Sequence, residues 1–370
     1  MTEFGPDSTP DFPAAAFSRR LVRWYRRQKR ALPWRETSDP YAILVSEVML
    51  QQTTVATVLG YYARFLSRFP TVRDLAEAPE DELLAVWSGL GYYRRARNLQ
   101  AAARVIMAQH AGRVPQTLEA LMALPGIGRY TAGAIMSFAF NKPSPIVETN
   151  SARVLARLFC VRAPVKSPAT VRQLWHIAEQ ILPPNNPREH NYALMELGSL
   201  ACRPSQPDCV LCPVSEFCAA FKAGEQRLIP PADAPAARTR LRFVGVVPLN
   251  DGHVLVARIP QGEWHAGMFE FPKVPVPLTV SDVEARETAQ QLLQSLGLRG
   301  NLVAFREFRY TVTRHSITLC AWMAMCRRPA RPPGKALRWV PLDEAGKLPL
   351  GSAQRRVLAW VSNDQRPGGT

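Results

Sequence analysis

The hydrophobic period of this chain changes once, at an Ala-, Pro- and Arg-rich stretch from Pro230 to Arg240, and the two sides of that break call for different fold classes. Before it, apolar residues recur at helical spacing. The pattern predicts helices over 19–30, 41–50, 79–87, 95–109, 118–123, 130–140, 151–159, 170–182 and 189–201. Asp39-Pro40 reads as an N-cap followed by proline at the first helical position. Beyond the break, segments 241–249, 253–258, 302–310 and 317–325 alternate or carry β-branched and aromatic residues, with one helical stretch over 281–296. A length of 370 residues also exceeds one compact domain. The expected order is a flexible tail (1–16), a mostly helical domain (17–228), a linker (229–240), a smaller α+β domain (241–362) and a short tail (363–370).

The net charge of +16 narrows the partner. Up to Leu228 there are 27 Lys and Arg against 19 Asp and Glu, and beyond it 19 against 11, so both parts carry a similar surplus. A polyanion touching both is the simplest reading. No apolar run approaches the roughly 18 residues that span a bilayer; the longest, Ala132 to Phe140, is broken by Gly133 and Ser137. Residues 1–16 lack a basic-then-apolar leader pattern. The expectation is a monomeric cytoplasmic protein without membrane association.

Three of the seven cysteines, Cys160, Cys320 and Cys326, sit singly in apolar stretches and are expected in cores. The others, Cys202, Cys209, Cys212 and Cys218, have the spacing C-x6-C-x2-C-x5-C. Four thiolates this close suit either zinc or a [4Fe–4S] cluster, although a zinc ribbon usually pairs two close knuckles and only one is present. The run Leu124-Pro125-Gly126-Ile127-Gly128-Arg129-Tyr130 offers a proline to end a helix and two glycines for conformations closed to other residues. Such a turn directs backbone N–H groups outward at the start of the next helix, a phosphate site. An ordinary helix turn is the alternative.

The cysteine spacing resembles the cluster loop of the endonuclease III superfamily of DNA glycosylases, and the glycine turn resembles its helix-hairpin-helix. The segment from Leu32-Pro33-Trp34-Arg35 through Ser46-Glu47-Val48-Met49-Leu50-Gln51-Gln52-Thr53 and Gly89-Leu90-Gly91-Tyr92-Tyr93 to Arg97-Asn98-Leu99 is similar to the MutY-type branch. That resemblance implies a helix-hairpin-helix glycosylase domain with a [4Fe–4S] loop at 202–218. It also implies hydrolysis of the N-glycosidic bond of adenine opposite 8-oxoguanine or guanine in duplex DNA. Glu47 aligns with the acid that protonates the leaving adenine and then helps activate water. Gln51, Gln52 and Thr53 align with the corner that contacts the mispair. Tyr92 and Tyr93, followed by Arg94, resemble a wedge that fills the gap left by a flipped base. Gly126, Gly128 and Arg129 align with the phosphate-binding hairpin. Strand-cleaving relatives carry a lysine two residues after the second hairpin glycine; Tyr130 stands there, and a tyrosine forms no Schiff base.

The sharpest departure is Glu148, where the family pattern has aspartate facing the positive sugar; Asn150 matches the supporting asparagine. The C-terminal part resembles the appended Nudix-like module through Trp264-His265-Ala266-Gly267-Met268-Phe269-Glu270-Phe271-Pro272. Its helix has Gln and Leu where a magnesium-binding glutamate cluster belongs, which argues for recognition rather than hydrolysis. Thr313 falls, on a strand, where the family places its 8-oxoguanine contact. Two rivals stay open: a lyase-type glycosylase for oxidised pyrimidines, and a DNA-binding or redox-sensing protein without activity.

Overall fold

The computed structural model describes residues 12–232, 237–327 and 336–364; parts of both expected tails and of the linker lie outside the described residues. The chain divides into two compact units, Met1–Glu77 with Asn98–Ala234, and Ala78–Arg97 with Pro235–Thr370. The first helices are α1 (Ala14–Gln28), α2 (Pro40–Leu50), α3 (Val55–Arg68), α4 (Val72–Glu77), α5 (Glu80–Trp87) and α6 (Arg94–Gln109). They are followed by α7 (Leu118–Met122), α8 (Arg129–Phe138), α9 (Thr149–Leu158), α10 (Pro168–Ile181), α11 (Pro187–Leu200) and α12 (Ala219–Lys222). Helix α1 starts at Ala14, inside the expected tail, because Phe17, Leu21 and Tyr25 bury one stripe.

Asp39 caps α2 as its sequence predicts, accepting from the backbone N–H groups of Tyr41 and Ala42. In the first unit the largest fully buried side chains include Phe17, Phe65, Phe69 and Phe138. Burying a side chain of this size contributes about 1.5–3 kcal/mol. Helices α3 and α4 lie where the sequence reading expects no helix. The stripe Val58, Tyr62 and Phe65 marks the former, while six residues are too few for a period to show in the latter.

The second unit is built on β1 (Thr239–Asn250), β2 (His253–Arg258), β3 (Phe269–Glu270), β4 (Lys273–Val276), β5 (Gly300–Val312), β6 (His315–Cys326) and β7 (Leu337–Pro341). Its C-terminal part also has helices α13 (Asp282–Ser295) and α14 (Ser352–Asp364). The main path through the sheet is β3-β2-β1-β6-β5, with β4 on β1 and β7 on β2. Strands β1 and β6 run parallel from Thr239↔His315 to Leu249↔Met325. Side chains alternate between two cores. Val247, Leu249, Leu319 and Met323 join Val357 and Val361 of α14, while Val244, Val246 and Trp322 join Ala285 and Ala289 of α13. Segment Ala78–Arg97 belongs to this unit through the Asp81–Arg258 ion pair at 2.6 Å and the hydrogen bond from Ser88 to the Leu350 carbonyl. Sequence adjacency had placed that segment in the helical domain.

Candidate active site

Helix α2 is buried from Tyr41 to Met49, and this puts the Glu47 carboxyl out of water at 3% exposure. A buried carboxyl has to be protonated or compensated. Tyr130, the second residue of α8, donates its hydroxyl to Glu47 Oε2 at 2.9 Å. Burial pushes Glu47 up to about 7; the Tyr130 hydrogen bond lowers it, the Glu148 charge raises it and Arg35 lowers it. Burial also holds the Tyr130 phenol well above its ordinary value, so the proton stays on the phenol at neutral pH. The helix stops at Leu50, so Gln51 and Thr54 do not continue the helical face that carries Glu47. Gln51 is the C-cap and donates from Nε2 to Thr131 Oγ1 at 3.3 Å. Gln52 is exposed with φ +55, an uncommon conformation for a residue with a side chain, and Thr53 Oγ1 donates to the Gln51 carbonyl.

Glu148 is the N-cap of α9. Its two carboxylate oxygens accept from the backbone N–H groups of Asn150 and Ser151, both at 2.8 Å, and its own N–H donates to Ser151 Oγ at 2.8 Å. The reciprocal pair is a capping box with glutamate in the cap position. Asn150 therefore supports Glu148 through its backbone; its side-chain oxygen accepts instead from Arg153 at 3.0 Å. Arg153 also donates to the Gly198 and Cys202 carbonyls. Gly198 is required by this packing, since a Cβ there would lie 2.8 Å from Asn150 Cβ. Burial raises the Glu148 pKa, and the N–H groups of Asn150 and Ser151 counter it in part.

Between α7 and α8, Gly126 adopts φ +77 with no room for a side chain: a Cβ would meet Asn98 Cβ at 2.6 Å. Gly128 differs from expectation. As N-cap of α8 it has φ −94, open to any residue, and nothing lies within 4 Å of a Cβ built on it. It supplies no capping side chain, so the first N–H groups of α8 are left for another acceptor. Arg129 stacks over the Trp175 ring at 4.1 Å.

Cys202, Cys209, Cys212 and Cys218 line one cavity beyond the end of α11, together with Arg157 and Gln226. The buried Arg157 guanidinium reaches Cys202 Sγ at 3.3 Å and donates to the carbonyls of Arg203, Pro204 and Ile229. Burial pushes the Cys212 thiol up to about 12 and Cys218 to about 11, so thiolates here need a cation. Among the described residues no three His, Cys, Asp or Glu side chains converge on a single metal ion. Cys320 and Cys326 are buried as expected, whereas Cys160 is partly exposed at φ +52, where α9 ends and the chain turns out of the core.

In the second unit Tyr92 and Tyr93 part ways. Tyr93 is buried, with its hydroxyl accepting from the Gly89 N–H, whereas Tyr92 is exposed at φ +49. The buried Arg95 guanidinium supports the Tyr92 ring at 5.4 Å, and Arg94 is exposed. Thr313 is not on a strand: it occupies the turn joining β5 to β6, exposed, with φ +51. Glu284, in the stretch set against the Nudix glutamate helix, is tied up in a capping box with Ser281. Sequence reasoning gave no role to Thr131, Ser151, Arg153 or Arg157. Only Ser151 had a local signal, three residues after the glutamate cap. Among the described residues no helix is long and apolar enough to cross a membrane.

Residues 45–180 match the HhH-GPD superfamily base excision DNA repair protein model, and residues 243–360 match a NUDIX domain model. The chain is similar to an adenine DNA glycosylase of Rattus norvegicus, 47% identical over 223 residues, covering 58% of this chain and 43% of the relative. It is also similar to one of Homo sapiens, 45% identical over 220 residues, 57% of this chain and 40% of the relative. The chain thus spans less than half the length of these two relatives. A solved thermostable thymine-DNA glycosylase superposes with a TM-score of 0.51 at 30% identity, covering 57% of this chain and 97% of that one.

Proposed function

Since the chain belongs to the HhH-GPD superfamily of base excision DNA repair proteins, on its MutY-type branch, we propose that it is a monofunctional adenine DNA glycosylase acting on adenine opposite 8-oxoguanine or guanine in duplex DNA. The observation that carries the reading is the Glu47–Tyr130 pair: a buried carboxyl pushed up to about 7 with a 2.9 Å phenol donor. A carboxyl that keeps its proton near neutrality can deliver it to the departing adenine and then, ionised, take one from the attacking water. Tyr130 orients Glu47 and takes the place of the lyase lysine, leaving water as the nucleophile.

Glu148 serves as the fixed negative partner of the oxocarbenium-like sugar, supported by the backbone N–H groups that hold it. Positive charge developing on the sugar would favour its ionised form against the pull of burial. The hairpin from Gly126 to Arg129 binds a DNA phosphate through the uncapped start of α8. Gln51, Gln52 and Thr53 contact the mispair, and exposed Tyr92, with Arg94, acts as the wedge; Tyr93 supports it from within. Recognition of 8-oxoguanine falls to the second unit, with Thr313 a candidate contact on its turn.

Cys202, Cys209, Cys212 and Cys218 fit a [4Fe–4S] cluster, because four thiols line one cavity with a buried guanidinium at its edge. Such a cluster when bound supplies a rigid, four-point cross-link of the loop. Arg153 and Arg157 fix that loop to α9 through its carbonyls.

A single-turnover assay on a duplex with one adenine opposite 8-oxoguanine tests the reading. The expected result is adenine release, with strand breaks appearing only after hot alkali. Breaks without alkali, together with a borohydride-trapped enzyme–DNA adduct, would make it a lyase. No adenine release would end the proposal.

A further inference from the structure

Helix α1 carries five arginines and no acidic residue, a sixth, Arg30, lies just past its end, and these arginines fall into two sets. Those turned toward neighbouring elements are neutralised: Arg20 pairs with Glu216, Arg26 with Glu189, and Arg30, just past the helix, with the fully buried Glu196. Arg19, Arg23 and Arg27 are exposed and have no ion-pair or hydrogen-bond partner among the described residues. They stand at i, i+4 and i+8, a straight row on the outer face, about 12 Å long at 1.5 Å of rise per residue. Like charges at this spacing repel and weaken a helix. The helix dipole compensates only Arg27, in the last turn. Such a row is stable at low cost where an outside partner supplies regularly spaced negative charge. A DNA strand does so, with one phosphate for about every 3.4 Å of rise. A folded acidic protein surface would have to match the row by chance placement of carboxylates.

We propose that Arg19, Arg23 and Arg27 form a second duplex-DNA contact, binding backbone phosphates separately from the hairpin at Gly126 and from Glu47. The inference shares with the proposed function only its premise that DNA is the partner, and its test needs no adenine chemistry.

The test measures affinity of the full chain for an undamaged duplex by fluorescence anisotropy over a range of salt concentrations. Arg19→Gln, Arg23→Gln and Arg27→Gln together should make the slope of log K against log[salt] shallower by about 2–3, from roughly 0.9 per phosphate contact. The corresponding triple lysine variant should keep the parental slope. A control with equal charge loss at exposed positions of the second unit, Arg286→Gln, Arg299→Gln and Arg338→Gln, should change it by less than about 1. Unfolding temperature confirms that each variant is folded, as exposed positions allow. An unchanged slope in the α1 variant would overturn the inference. So would an equal change in the control, which would make net charge the whole effect. If the slopes behave as expected while the parent releases no adenine, the second contact stands and the glycosylase reading falls.

Discussion

Helix α2 buries one glutamate and the start of α9 half-buries another, and they surround the carboxyl with different partners. Glu47 receives a single phenol hydroxyl in an otherwise apolar helix, and burial wins, holding it near 7. Glu148 receives two backbone N–H groups at a helix N-terminus, where the dipole favours an anion, and these oppose its burial. One environment holds a proton; the other aims two N–H donors at the carboxylate, although burial still raises its pKa on balance. On the proposed function, these two carboxyls of the same residue type, in one unit, divide acid and anion roles between them.

Removing the proton store should have the largest effect. Glu47→Gln keeps the shape and can still accept from Tyr130, so mispair binding should persist. Single-turnover excision should fall by about three powers of ten or more, within the range given for general acid–base catalysis. Retaining above about a tenth of the parental rate would locate the acid elsewhere. The same variant tests the stored proton through stability. The folded-state pKa of Glu47, about 7, lies above its ordinary 4.5. The parent should therefore lose stability as pH rises through that window, having kept it in full below the ordinary value. Glu47→Gln should escape the loss and gain over the parent at pH 8, by at most about 3 kcal/mol at 1.36 kcal/mol per pH unit. Urea melts at pH 5 and pH 8 measure the difference.

Removing the braced charge comes next. Glu148→Gln should slow the chemical step by about 100-fold, the scale of one preorganised electrostatic contact, with little change in DNA affinity. Glu148→Asp is more discriminating, because aspartate is a good N-cap and should leave α9 intact. If the site is built around the longer side chain, excision slows by about 10- to 100-fold while the melting temperature holds. Faster excision with aspartate would show glutamate to be a poor substitute and break the comparison on its anion side.

The smallest change sharpens the comparison. Tyr130→Phe removes a hydrogen bond that lowers the Glu47 pKa. Its rate at neutral pH should drop only a few-fold, while the pH at which activity is lost moves upward. A downward move would mean that Tyr130 stabilises the protonated acid instead.

Much of this was legible in the residues. The cap at Asp39, the strands on both sides of Gly252 and the four-cysteine loop follow local rules that a single sequence displays. Glu47 was singled out through resemblance; its residue type alone does not separate a general acid from a surface glutamate. What stayed hidden is long-range or conformational. The backbone support of Glu148 depends on the cap geometry of α9, whose one local trace is the spacing of Ser151 three residues after Glu148. Thr313 left its expected strand because β5 and β6 pair up to Val312↔His315, leaving two residues for the turn. The grouping of Ala78–Arg97 with the second unit rests on contacts such as Asp81 with Arg258, 177 positions apart.

Whether Glu47 holds the catalytic proton near neutrality is decided by the pH dependence of single-turnover adenine excision by the parent. The expected rate holds through slightly acid pH and falls about tenfold per unit above an inflection at about 7. A rate that stays level or climbs from pH 6 to pH 9 would contradict it.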